Sequence, residues 1–182
     1  MTIKTFYFNP YRECTYVVWD EQNRSGKALI IDAGMHSASE QQRFISYIQQ
    51  QQLTPIALLI THTHPDHICG LDFLRATYQL TPTILPPEGL LTIPGFDGIT
   101  VIHTPGHKAD CVCYYWAAQR CIFTGDTLFK ESVGRTDLPE GDASALFRSL
   151  GQLTCLPDDV VIYPGHGYTS TIGYEKQHNP YL

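Results

Sequence analysis

In the segment THTHPDHICG at 61–70, three histidines and an aspartate fall within the six positions 62–67, directly after the apolar run IALLI at 56–60. A buried strand ending in so much imidazole and carboxylate must open onto a polar site. Side chains of extended backbone alternate, so His62 and His64 point the same way, and Pro65 keeps His64 extended. The pair forms a pincer. Asp66 and His67 enter the first turn of a helix, where Pro65 is well placed, and diverge from that pincer. This suits a second, adjacent metal better than a fourth ligand to the first. Two cations a few Å apart repel by roughly 4 kcal/mol per unit-charge pair at 4 Å and an effective dielectric of 20. An anionic bridge is therefore required, with further histidines to complete each site.

The rest of the chain supplies them: His107 in HTPGH at 103–107, Asp126 in FTGDTLF at 123–129 and His166 in YPGHG at 163–167. Each follows a β-rich run and a Gly-containing turn, the arrangement by which loops at strand ends bring distant segments together. Oxygen and nitrogen donors without a thiolate suit zinc(II), iron(II) or manganese(II), so the donor set names no metal. Two divalent ions per chain are expected, with zinc carried forward.

Around these motifs, Thr5–Phe8, Thr15–Trp19 and Ala28–Ile31 read as a meander of strands. Ser37 and Glu40 form a capping box ahead of a helix that ends before Thr54-Pro55. Ile68, Leu71, Leu74 and Tyr78 define one face of a helix starting at Pro65. Further strands are predicted near 82–85, 99–103, 111–116, 120–124 and 160–163. A helix capped by Asp142 is predicted to bury Ala143, Leu146, Phe147, Leu150 and Leu153. Such a series predicts an α/β (α+β) fold of two sheets sandwiched by helices. At 182 residues and 43% apolar content, the expectation is one domain over 1–182.

Twelve basic against 18 acidic residues give a net charge of −6 with no Lys/Arg run, which argues against nucleic acid or an anionic membrane as partner. The expected ligand is a small molecule; the oligomeric state is left open. MTIKTFYFNPYREC lacks an export-signal pattern and no apolar stretch approaches 18 residues, so a soluble, cytoplasmic protein is expected. The six cysteines lack CxxC spacing and read as reduced, mostly buried thiols.

Together, HxHxDH (His62, His64, Asp66, His67), TPGH (His107), GDTLF (Asp126), PGHG (His166) and the early DAG at 32–34 resemble the metallo-β-lactamase fold superfamily. The resemblance implies a four-layer αββα sandwich with a dinuclear site at the sheet edges. It implies that His62, His64 and His107 hold one metal and Asp66, His67 and His166 the other, with Asp126 bridging. GRTDLP at 134–139 and TIGYEKQHNP at 171–180 are most similar to hydroxyacylglutathione hydrolase-like (glyoxalase II-like) thioesterases. Those enzymes carry a helical C-terminal extension that contacts glutathione, whereas sixteen residues follow His166 here. Asp110 and Cys111 also stand where Gly-Ser is often found.

The expected chemistry is hydrolysis of a small thioester by a metal-bridging hydroxide, with Asp66 orienting the hydroxide and taking its proton. A thiolate leaves readily, its conjugate thiol having a pKa near 8.5. The alternatives are a mononuclear Fe(II) persulfide dioxygenase, a lactonase or β-lactamase of the same fold, and a non-catalytic module, which would not need all seven ligands. His36, His103 and His178 are read as ordinary histidines, with His103 also weighed as an outer partner of a ligand imidazole. Asp32 is weighed equally as such a partner or as a plain turn residue. Cys69 is read as packed inside a helix and Gly70 as a close backbone approach beneath the site. Arg135 either orients substrate or pairs with a carboxylate such as Asp137. Tyr168 either lines the cleft or packs.

Overall fold

A computed structural model of the chain describes residues 1–22 and 25–182. The backbone forms two compact units, Met1–Ile84 and Leu85–Leu182. Each is a sheet carrying helices, the mixed α/β class anticipated from the sequence.

The first unit begins with the expected meander: β1 (Thr2–Phe8), β2 (Glu13–Trp19) and β3 (Lys27–Ile31) pair antiparallel. Next come α1 (Ala38–Gln50), β4 (Thr54–Ile60), α2 (Pro65–Ile68), α3 (Leu71–Tyr78) and β5 (Pro82–Ile84). The sheet order is β1-β2-β3-β4-β5, and β3, β4 and β5 are parallel neighbours. Parallel pairing demands crossovers, which the helices provide. Phe44 and Ile48 of α1 and Leu74 of α3 join Phe6, Phe8, Val17, Ile30, Leu58 and Ile60 in one buried cluster. Each such side chain contributes about 1.5–3 kcal/mol of burial.

Ser37 caps α1 as its spacing predicts. Its Oγ accepts from the Glu40 amide at 3.3 Å, and Glu40 Oε2 accepts from the Ser37 amide at 2.9 Å. Strand β4 starts at Thr54, two residues before the apolar run, because a register shift against β3 accommodates Pro55, which has no N–H to give to a ladder.

The single helix predicted from Pro65 is two, broken at Cys69 and Gly70. Gly70 leaves the helical path to donate its N–H to the Ala33 carbonyl at 2.7 Å. A Cβ there would lie 2.2 Å from Met35 Sδ. The predicted close approach at Gly70 is thus real, and it interrupts the helix.

The second unit holds β6 (Gly89–Leu91), β7 (Ile99–His103), β8 (Val112–Trp116), β9 (Cys121–Gly125), β10 (Leu128–Phe129), β11 (Ser132–Val133), α4 (Ala143–Leu153), β12 (Val161–Pro164), β13 (Ser170–Thr171) and α5 (Ile172–His178). Its six-stranded sheet runs β13-β12-β9-β8-β7-β6, with β12 parallel to β9 and the other pairs antiparallel. Strands β10 and β11 form a separate hairpin. Strands β6, β10, β11 and β13 are too short to leave a period in the sequence.

Helix α4 is capped by Asp142, whose Oδ1 accepts from the Ala145 amide at 2.9 Å. It buries Ala145, Leu146, Ser149, Leu150 and Leu153. Ala143 and Phe147, predicted inside, are exposed, Phe147 by 72%. The apolar stripe is wider than the face the unit covers, and these two lie on its flank.

The TPGH turn is fixed against α4 by Ser149, which donates to the Pro105 carbonyl at 2.8 Å, and by the Asp142 amide, which donates to the Gly106 carbonyl at 2.8 Å. Gly106 has φ 144°, and a Cβ on it would lie 2.3 Å from the Leu146 amide nitrogen. Both the conformation and the space exclude a side chain. Gly106→Ala is therefore expected to destabilise the protein by at least about 2 kcal/mol, read as a lower denaturant midpoint at unchanged slope.

Candidate metal centre

Parallel strands β3 and β4 end side by side, Ile31 opposite Leu59, and the first group of ligand-type residues lies just beyond them. Asp32, buried and at φ 60°, donates its amide to the Leu59 carbonyl at 2.8 Å. Its Oδ1 accepts from the Thr61 amide at 2.7 Å, and its Oδ2 accepts from the Thr61 hydroxyl at 2.8 Å and from His67 Nδ1 at 2.9 Å. Of the two readings of Asp32, the partner reading holds: its carboxylate bonds the His67 imidazole. This bond sets the His67 tautomer and turns Nε2 toward the side of Asp66.

His62 and His64 form the predicted pincer. His64 is extended (φ −69°, ψ 145°) with Pro65 at the first helical position. His62 Nε2 and His64 Nδ1 stand 3.1 Å apart. Two nitrogens each about 2.0–2.1 Å from a tetrahedral zinc would be about 3.3 Å apart, so the pincer matches chelation of one cation. His67 Nε2 lies 3.8 Å from Asp66 Oδ2. Asn9 holds the Asp66 segment from behind: its Nδ2 donates to the carbonyls of Gly34 at 3.0 Å and Asp66 at 2.9 Å.

Buried beside this network is Glu13 of β2, fully enclosed, with Oε2 accepting from the Thr15 hydroxyl at 2.8 Å. Burial pushes its carboxyl well above the usual carboxylate range, opposed by the His67 imidazole. Neither Asn9, Glu13 nor Thr61 was singled out from sequence. A signal existed for Glu13 and Thr15, which are polar residues two apart on an otherwise apolar strand.

In the second unit, His107, Asp126 and His166 converge. Asp126 Oδ2 lies 3.4 Å from His107 Nε2 and 3.5 Å from His166 Nε2. One carboxylate oxygen thus sits between two imidazoles at spacings suited to shared cation coordination. His107 Nδ1 donates to the Arg135 carbonyl at 2.8 Å, which leaves Nε2 as the nitrogen turned toward Asp126. The FTGD and YPGHG turns are joined by the Gly165 amide, which donates to the Gly125 carbonyl at 2.7 Å.

The GRTD loop therefore acts through backbone as well as charge. A Cβ on Gly134 would lie 1.9 Å from the Asp126 carbonyl oxygen. The Arg135 guanidinium forms a bidentate pair with Asp137, both contacts 2.6 Å, and holds that carboxyl down at about 2. The loop-holding reading of Arg135 is met. From outside, buried Glu175 of α5 accepts from the Glu131 amide at 2.7 Å and Asn179 donates to the Ser132 carbonyl at 3.1 Å, so the TIGYEKQHNP tail pins the β10–β11 hairpin. Beyond the motif itself, no local pattern signals this clamp.

His103 is not an outer partner of a ligand imidazole; its Nε2 donates to the Pro86 carbonyl at 2.7 Å. His36 and His178 are exposed. Tyr168 is 77% exposed and lines a small cleft with Phe129, Lys130 and His166. Cys69 is not packed inside a helix: it ends α2 and is exposed, with Sγ donating to the Gly34 carbonyl at 3.1 Å. Cys14, Cys111, Cys113 and Cys121 are buried, Cys155 is exposed, and all six are free thiols. No helix among the described residues is long and apolar enough to cross a membrane.

The sequence matches the Metallo-beta-lactamase superfamily over residues 13–90 and 80–166. The chain belongs to this superfamily of metal-dependent hydrolases, with a fold to match. Hydroxyacylglutathione hydrolase of Francisella tularensis subsp. novicida is 33% identical, over 92% of this chain and 68% of its own. The crystal structure of BLEG-1 B3 metallo-beta-lactamase superposes with a TM-score of 0.92 at 31% identity, covering 100% of this chain and 99% of that one. ETHE1 from Myxococcus xanthus superposes with a TM-score of 0.86 at 30% identity, covering 99% and 84%.

Asp32→Asn retains the shape beneath His67 and removes the charge. It is expected to weaken the metal at that imidazole about 10–100-fold, measured by competition with a chromophoric chelator.

Proposed function

We propose that the chain is a dinuclear metallo-hydrolase that cleaves a small thioester, and that its two units work as one domain. In this reading His62, His64 and His107 hold one metal, Asp66, His67 and His166 the other, and Asp126 bridges them. One observation carries it. In each unit an imidazole is pinned through Nδ1, His67 by Asp32 and His107 by the Arg135 carbonyl, so that Nε2 is left facing other donors. An isolated structural histidine has no need of such orientation, whereas a metal ligand does.

A metal pair bound there would supply Lewis acidity for the thioester carbonyl and an acidified water as nucleophile. The residues do the rest. Asp66, at the first turn of α2 and tied through its carbonyl to Asn9, orients that water and accepts its proton. No strong general acid is needed for the leaving group, because a thiol with a pKa near 8.5 departs as thiolate. Support for a thioester comes from the hydroxyacylglutathione hydrolase relative. The free cysteines favour a reducing compartment, the cytoplasm. The donor set suits zinc, iron(II) or manganese(II), and zinc is proposed.

The likeness to ETHE1 from Myxococcus xanthus supports keeping the alternative weighed from the sequence, in which one iron serves a persulfide dioxygenase. Metal analysis of protein purified without added metal, with a panel of S-lactoylglutathione, simpler thioesters, a persulfide and a β-lactam, separates the two. The expected result is two metals per chain and thioester hydrolysis that is lost on chelation, restored by metal, and reduced at least about a thousandfold in Asp126→Ala. One iron per chain with oxygen uptake on the persulfide would establish the dioxygenase instead.

A further inference from the structure

All seven residues of β2 are buried, and Glu13 is the one ionisable carboxyl among them. Thr15 accounts for Oε2 and in turn accepts from the Gly34 amide at 2.9 Å. Position 34 must be glycine for this, since a Cβ there would lie 1.8 Å from Oε2. The other oxygen, Oε1, is buried with no hydrogen-bond partner and lies 3.9 Å from His67 Nδ1. Donor atoms of Glu13, Asp32 and His67 all fall within 4.8 Å of one another.

An orphaned carboxyl oxygen in the protein interior opposes folding. Nothing in the sheet requires it, because an aliphatic residue at this position would bury more apolar surface. Close to it stands the imidazole already bonded to Asp32.

We propose that Glu13 is a positioning residue for His67, a second carboxyl behind the ring whose burial is offset only when the opposite nitrogen, Nε2, holds a cation. A cation at Nε2 draws charge from the ring and makes its Nδ1–H edge more positive. In the low-dielectric interior that edge attracts an oxygen 3.9 Å away as well as the one bonded at 2.9 Å. Without the cation, Oε1 remains buried close to the Asp32 carboxylate, which opposes a charge on it. Glu13 thus lowers the stability of the metal-free fold and raises metal affinity. The proposal rests on the dinuclear reading and adds to it a residue that touches neither metal nor substrate.

The opposite signs provide the test. Glu13→Gln keeps the shape and removes the charge. Two measurements are compared with wild type: the denaturant midpoint of chelator-stripped protein, and stepwise metal affinity by competition with a chromophoric chelator. The expected result is a midpoint equal to or above wild type, with one of the two binding steps weakened about 10–100-fold and the other unchanged. Metal affinities equal to wild type at both steps would overturn the proposal. So would a lower midpoint with both steps weakened alike, which is the signature of a packing role. If the Gln variant is insoluble, Glu13→Asp, which withdraws the carboxyl by one methylene, is read by the same two measurements. Wild-type protein that takes up no metal defeats the dinuclear reading itself, whereas two metals with an indifferent Glu13 defeat only this one.

Discussion

The carboxylate of Asp32 is the constraint on which the first unit's end of the structure depends. It gathers the Thr61 amide, the Thr61 hydroxyl and His67 Nδ1 onto two oxygens. In doing so it joins the end of β3 to the end of β4 and to the first turn of α2. Each bond is made to a buried anion and is stronger than a neutral one. The strained φ of 60° at Asp32 is tolerated because these bonds over-determine it. The histidine pair at 62 and 64 inherits its direction from Thr61, and Asp66 inherits its position from the helix turn that His67 anchors.

The second unit solves the same problem with backbone rather than charge. A carbonyl, that of Arg135, orients His107, and glycines at 106, 125 and 134 let turns approach one another where a Cβ would collide or a left-handed φ is needed. Glu175 and Asn179 then hold the intervening hairpin from outside. Each unit therefore presents an imidazole in a defined tautomer beside carboxylates already committed in direction. Pre-set donors of this kind reduce the reorganisation needed when a cation or a reacting carbonyl arrives.

The candidate ligand residues were legible in the sequence because metal chemistry restricts such donors to few residue types at spacings set by strand and turn geometry. His62 and His64 two apart, Pro65 beyond them, and Gly-His turns after β-rich runs are local facts. So are the capping box at Ser37 and the N-cap at Asp142, each set by residues within one turn. The misread elements were those settled by distant partners. The helix from Pro65 breaks because Gly70 meets Ala33 and Met35, residues more than thirty positions earlier. Phe147 is exposed because the unit covers a narrower face than the helix offers. His103 is spent on Pro86, and Cys69 reaches the surface once its helix ends.

By itself, the sequence determined the class of fold and the candidate donors, since strand period, turn residues and the residue types that suit a metal are written in neighbouring positions. Only the tertiary structure decided which groups stand behind the donors: Asp32 and the Arg135 carbonyl, Asn9 under Asp66, Glu13 under His67. These are contacts between segments tens of residues apart. The distance and direction that give them meaning exist only once the chain has folded.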